Sequence, residues 1–249
     1  MPYAALPDAS IYYEEHGSGY PVLAIAPGGL GSQIGLWGRK RDGEPQSYPN
    51  PVTALARDFR VVTMDQRNAG RSMGEVGPDD GWDTYTGDQL ALMDHLGIDR
   101  FHVIGACIGG PFGFKLAQRA PERVSAFVVQ ATIGLHENAG LFQESFASWK
   151  KGLLAQRPEV DPAWLDAMRD RLYASDFVFA VDRPFVQQCP VPLLVLRGGN
   201  APHPAAVSDE IAALAPHATL VRDWDGPENS EAYLKVVREF LLEQTPALP

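Results

Sequence analysis

Six short apolar runs recur along this chain, at positions 21–26, 59–64, 100–104, 124–130, 191–196 and 219–224, and amphipathic stretches separate most of them. A strand covered on both faces carries apolar residues on both, so it is written as a continuous apolar run rather than as an alternation. Such runs interleaved with helices make βαβ units, and they predict an α/β fold built on a doubly wound, mostly parallel sheet with helices on both faces. Two further runs, 3–6 and 11–15, predict an antiparallel pair at the sheet edge. The alternation stops between Gly134 and Pro184, where 141–154 and 162–173 have helical spacing and no strand pattern intervenes. That segment predicts a small helical cap, dividing the chain into a core of residues 1–133 and 185–249 and an insertion of residues 134–184. A length of 249 residues suffices for one large core with such an insertion.

Gly105-Ala106-Cys107-Ile108-Gly109 joins the apolar run at 100–104 to a helical stretch at 110–119. This is the pattern of a nucleophile elbow, in which a sharp strand-to-helix turn exposes one reactive side chain, here a thiol in place of the more usual hydroxyl. Small residues at 105, 106, 109 and 110 permit the turn and the close approach of strand and helix. The helix N-terminus beyond it favours a thiolate. The chemistry such a residue suggests is acyl transfer. Cys189, next to Pro190 at a strand entry, is expected to be an inert structural thiol.

Composition narrows the partners. The formal net charge of -10 disfavours nucleic acid and anionic membranes, leaving a small-molecule substrate, apolar and bearing a carbonyl, as the expected partner. Two cysteines make no disulfide framework and, with six histidines, show no metal-ligand spacing, so no metal or other cofactor is expected. Neither a leader pattern nor a membrane-length apolar run is visible, which predicts a cytoplasmic protein. Oligomeric state is not legible.

The element order, the elbow and the helical insertion resemble the α/β-hydrolase superfamily over nearly the whole chain. Two more segments match. Ala26-Pro27-Gly28-Gly29-Leu30-Gly31 stands where that family has its oxyanion loop, with proline replacing the usual histidine, and Asp65-Gln66-Arg67-Asn68-Ala69-Gly70-Arg71-Ser72 is similar to its Asp-x-Arg-Gly-x-Gly-x-Ser turn. The elbow itself is similar to that of dienelactone hydrolases, which use a cysteine nucleophile. The resemblance implies an oxyanion hole made by the backbone N–H groups of Gly29 and Ile108. It also implies that Asp65 and Arg67 brace the turn beside the site.

The family would next supply an acid after run 191–196 and a histidine after run 219–224. This chain instead has Gly198-Gly199-Asn200-Ala201-Pro202-His203 after the first and Asp225-Gly226-Pro227-Glu228 after the second. An exchange of loops follows as an expectation: His203 serves Cys107 as base and Asp225 or Glu228 orients it. His136, at the entrance to the insertion, is the second candidate base, and a thiolate working without histidine is the third. His136, Trp37 and Trp149 are expected to line the substrate pocket. Together these residues imply a hydrolase of an ester, lactone or thioester; an acyltransferase or lyase, or a ligand-binding protein without catalysis, is compatible with the same fold.

Overall fold

The computed structural model describes residues 2–247. Among them the strands are β1 (Tyr3–Ala5), β2 (Ala9–His16), β3 (Tyr20–Ile25), β4 (Phe59–Met64), β5 (Met73–Gly74), β6 (Phe101–Ala106), β7 (Val124–Gln130), β8 (Leu193–Leu196) and β9 (Ala218–Val221). They form one sheet in the order β1-β2-β4-β3-β6-β7-β8-β9, with β5 pairing β2. The pairs β1–β2 and β2–β4 are antiparallel, and every pair from β4 onward through β3 to β9 is parallel. Period-two side-chain direction explains why the central runs are apolar throughout. Leu23, Ile25, Val103, Phe127 and Val129 enter the core on one face, while Val22, Ala24, Ile104, Ala126 and Val128 enter a second core on the other.

The helices are α1 (Pro51–Leu55), α2 (Trp82–His95), α3 (Gly109–Arg119), α4 (Ala139–Gln156), α5 (Pro162–Leu172), α6 (Arg183–Gln187), α7 (Ala205–Leu214) and α8 (Ser230–Glu243). Several starts are written locally. Asn50, Asp161 and Asp182 each accept a backbone N–H in front of α1, α5 and α6, with proline in the first turn, where its missing N–H costs nothing. Between β7 and β8 lie the helices α4, α5 and α6, the last of which straddles position 184. Run 219–224 is a strand only to Val221; Trp224 has left the sheet, is buried in the second core, and donates its indole N–H to the Arg197 carbonyl at 2.8 Å. No helix among the described residues is long and apolar enough to cross a membrane.

Trp37, expected at the pocket, belongs to the second core and is fully buried, which removes it from the site. Asp65 and Arg67 are buried braces. Asp65 accepts the backbone N–H groups of Ile34 (2.8 Å) and Arg71 (2.9 Å), and Arg67 makes two hydrogen bonds to Asp88 (2.7 and 2.8 Å) and one to Asp8 (3.0 Å). The Asp65 bonds tie the turn after β4 to the loop after β3.

His102 is fully buried on β6, its Nε2 3.0 Å from the Thr245 hydroxyl and its ring against Tyr20 and Phe59. Burial pushes its pKa down from 6.5 to about 4. The unfolded chain therefore binds a proton that the folded chain refuses between these values. Stability from this residue is complete above pH 6.5 and declines as pH falls toward 4. Urea unfolding is expected to show about 2 kcal/mol lost from this residue between pH 7.5 and pH 5. The loss should shrink in His102→Gln; an equal loss in that variant would place the acid sensitivity elsewhere.

Candidate active site

Cys107 follows β6 directly and has φ of 58°, the left-handed conformation that side-chain-bearing residues rarely adopt. The surroundings hold it there. Its N–H donates to the Gln130 carbonyl at 3.0 Å, and its carbonyl accepts from Gly110 (3.1 Å) and Ile133 (3.2 Å). A Cβ at Gly105 would overlap the Gly109 carbonyl, so only glycine lets the end of β6 and the start of α3 come this close. The strand-to-helix turn expected from the sequence is present, and Cys107 is half-buried with its side chain between two cavities.

One cavity, of about 670 Å³, lies between the elbow, the loop at Gly28–Gly31 and α4, with Phe146, Trp149, Leu153 and Tyr173 as its apolar wall. The other, of about 620 Å³, lies between the elbow and the ends of β7 and β8, and is lined among others by Tyr48, Gln130, Asn200 and Trp224. Cys107, Gly28, Arg41 and His203 border both. His136 is exposed, lines neither cavity, and offers its backbone N–H to Asn138 at 2.8 Å; the segment after β7 turns its side chain to solvent before α4 begins.

His203 adjoins Cys107. The loop after β8 closes on itself, with Asn200 N–H donating to the His203 carbonyl (3.3 Å) and His203 N–H donating back to the Asn200 carbonyl (3.0 Å). The Asn200 side-chain oxygen accepts from the His203 backbone N–H at 3.2 Å and from ring Nδ1 at 2.7 Å. An amide oxygen only accepts, so Nδ1 carries the hydrogen and Nε2 is the basic nitrogen. Nε2 is buried and meets no aligned donor or acceptor in this resting geometry, yet thiol and imidazole lie close enough to stabilise each other's charged forms.

The orienting group is therefore Asn200, not Asp225 or Glu228. Both carboxylates are exposed on the turn after β9. Asp225 accepts from the Ser47 hydroxyl (2.5 Å) and from Gly226 N–H (3.0 Å), and Glu228 sits in the 3-10 turn Pro227–Asn229. Asn138 fixes the His203 loop from the other side. It is buried, and its amide donates to the Gly134 carbonyl (3.1 Å) and to the Ala201 carbonyl (2.8 Å), which clips the root of α4 to the turn bearing His203.

Electrostatics follow from this packing. Burial pushes the Cys107 thiol up, but the charge of the adjoining His203 and the backbone N–H groups of Gly28 and Gly29 outweigh it and bring the pKa from 9.0 down to about 7. Burial pulls His203 down, and the neighbouring thiolate raises it beyond that, to a net increase. Gly28 and Gly29 present their N–H groups because both have positive φ, 123° and 58°. Ile108, buried, is the residue from which α3 starts and its N–H is among the unpaired donors of that helix end. Cys189, by contrast, is fully buried and its thiol is pushed up by burial.

A family model described as alpha/beta hydrolase fold matches residues 21–180, well over half of the chain. The chain belongs to the alpha/beta hydrolase fold family. Among curated proteins, a segment of 159 residues is 36% identical to "Putative carbamate hydrolase RutD" of Azorhizobium caulinodans, covering 64% of this chain and 54% of that protein. The match spans about half the length of that relative. Among solved structures, the enol-lactonase of Burkholderia xenovorans LB400 is 27% identical over 97% of this chain and all of that one, with a TM-score of 0.67. A meta-cleavage product hydrolase of Pseudomonas fluorescens, 20% identical with a TM-score of 0.69 over 95% of this chain and 96% of that one, shares the fold. Asn200 and His203 lie beyond residues 21–180, the part that the family model matches.

Tyr48, Arg41 and Asn138 are site features that the sequence did not single out, whereas Asn200 stands near the family's aspartate position, three residues before His203. Thiolate formation is the direct readout of the assembled group. Iodoacetamide labelling of Cys107 should rise with pH through a midpoint near 7 and outpace Cys189. In His203→Ala the midpoint should rise, because burial persists while the imidazole's charge is gone and only the Gly28 and Gly29 N–H groups remain to oppose it. A midpoint unchanged in that variant would show that the imidazole does not govern the thiol.

Proposed function

We propose that this protein hydrolyses an ester, lactone or thioester through a Cys107 acyl-enzyme, with His203 as the base and Asn200 as the residue that orients it. The observation that carries this reading is the 2.7 Å contact from His203 Nδ1 to the Asn200 oxygen, which leaves Nε2 for the sulfur. The names of two relatives, a carbamate hydrolase and an enol-lactonase, belong to the same chemistry of acid derivatives.

In this reading the Cys107 thiolate attacks the substrate carbonyl carbon and the carbonyl π electrons move to oxygen. Backbone N–H groups of Gly29 and Ile108 receive that oxyanion, a role that needs donors already in place. The tetrahedral intermediate collapses, the bond to the leaving group breaks, and imidazolium Nε2 gives the leaving atom its proton. Neutral His203 then takes a proton from water as the water attacks the thioester; the acid departs, and the proton returns the pair to thiolate and imidazolium. Asn200 keeps Nδ1 protonated throughout. Residues 134–184 act as the cap, with α4 supplying the apolar wall against which the substrate's carbon skeleton packs. A protein that only bound its ligand would give no reason for a thiol held near neutrality beside a positioned imidazole.

Hydrolysis of 4-nitrophenyl butyrate tests the assignment. Cys107→Ala should abolish turnover, and His203→Ala should lower it by a factor of about 100 to 10,000. Asn200→Ala should cost less, about tenfold, since it orients rather than reacts. His136→Ala and Glu228→Gln should stay close to the parent protein. Near-full activity in His203→Ala alongside a dead Cys107→Ala would overturn the role given to the imidazole.

A further inference from the structure

The cavity between Cys107 and the ends of β7 and β8 has no part in the steps above, yet hydrogen-bond donors converge on it. Gln130 is fully buried at the end of β7. Its side-chain oxygen accepts from the Tyr233 hydroxyl at 2.8 Å, and its amide nitrogen, buried and without an aligned hydrogen bond, adjoins Tyr48. Tyr48 lines the same cavity, and burial, reinforced by the Cys107 thiolate, raises its pKa, so the phenol keeps its hydrogen and can donate.

Charge at the mouth agrees. Lys40 and Arg41 both line the cavity and are exposed, and neither forms a salt bridge among the described residues; Arg41 holds the Gly28 carbonyl through one nitrogen at 2.5 Å, leaving its other donors free. The remaining cation, Arg197, is committed to Asp209 at 2.7 Å. Asp225 is the one carboxylate in the lining, and Ser47 and Gly226 already donate to it. In a chain of net charge -10, two unpaired cations beside a reactive thiol mark a local reversal of sign.

We propose that this cavity is a subsite for a carboxylate, so that the substrate is an acid derivative with an anionic group on one side of the reacting carbonyl and an apolar portion under α4 on the other. The carboxylate accepts from the Tyr48 hydroxyl, which the Gln130 amide adjoins, with Lys40 and Arg41 supplying the countercharge. This rests on the reading of Cys107 as the reacting group, and the test separates the two.

The probes are 3-maleimidopropionate and 6-maleimidohexanoate, each paired with its neutral N-methylamide, reacting with Cys107 of the full chain and followed by intact mass. The ratio of anionic to neutral labelling rate is the readout, which cancels any general change in the thiol, including one caused by loss of the Arg41 bond to Gly28. We expect the ratio for at least one pair to fall about tenfold in Lys40→Gln/Arg41→Gln, part-way in each single variant, and with added salt in the parent. In parallel, mono-(4-nitrophenyl) glutarate should exceed its methyl ester in kcat/KM, and the double variant should reduce that preference mainly through KM. A labelling ratio equal in parent and double variant for both pairs overturns the subsite, whatever the esters do. A falling ratio with neither ester hydrolysed sustains the subsite and overturns the hydrolase reading instead.

Discussion

A single backbone torsion organises the site. Cys107 can hold φ at 58° only because the ladder from β7 captures its N–H, the start of α3 captures its carbonyl, and Gly105 and Gly109 have no side chains to collide. Such a conformation costs on the order of 1–3 kcal/mol and persists where the surroundings over-determine it. The parallel sheet supplies that surrounding stiffness. Because β3, β6, β7 and β8 all run the same way, the loops after each emerge on one edge, and the Gly28–Gly31 loop, the thiol, Gln130 and the His203 turn meet there without any being adjacent in sequence.

What the edge gathers is a balance between desolvation and pairing. Burial alone would silence both ionisable groups, keeping the thiol protonated and the imidazole neutral. Each instead carries the other's countercharge, and the N–H groups of Gly28 and Gly29 tip the balance toward thiolate. His102 is the contrasting case in the same strand, as thoroughly buried, but with only a hydroxyl for company, and so held neutral. One strand thus leads a structural histidine whose charge is suppressed to a cysteine whose charge is promoted.

The fold was legible because burial on both faces of a sheet leaves an unmistakable mark: β4 and β7 have the boundaries expected from their apolar runs. The elbow was legible for a related reason, since its glycines sit where backbone must touch backbone. Trp37 was misjudged because an aromatic beside a glycine-rich loop has the same sequence whether it turns to the pocket or into the second core. The orienting group was misjudged because a carboxylate next to a predicted strand end attracts attention that an amide does not. Which of Asn200, Asp225 and Glu228 reaches the ring depends on a turn closing within four residues, and no periodicity records that. Asn138 left no signal because its bonds run to backbone carbonyls far apart in the chain.

The turn that holds both Asn200 and His203 has a consequence for how such a protein can change. When an imidazole and its orienting partner sit on different loops, neither loop can be lengthened or redirected without disturbing the other, and the two must drift in concert. Here the pair travels as one tetrapeptide, clipped by Asn138 and closed by its own hydrogen bonds. The loop after β9 takes no part in that contact, and its Trp224 and Asp225 only line the neighbouring cavity. In the proposed reading that loop can therefore vary with what fills the cavity while the tetrapeptide stands still.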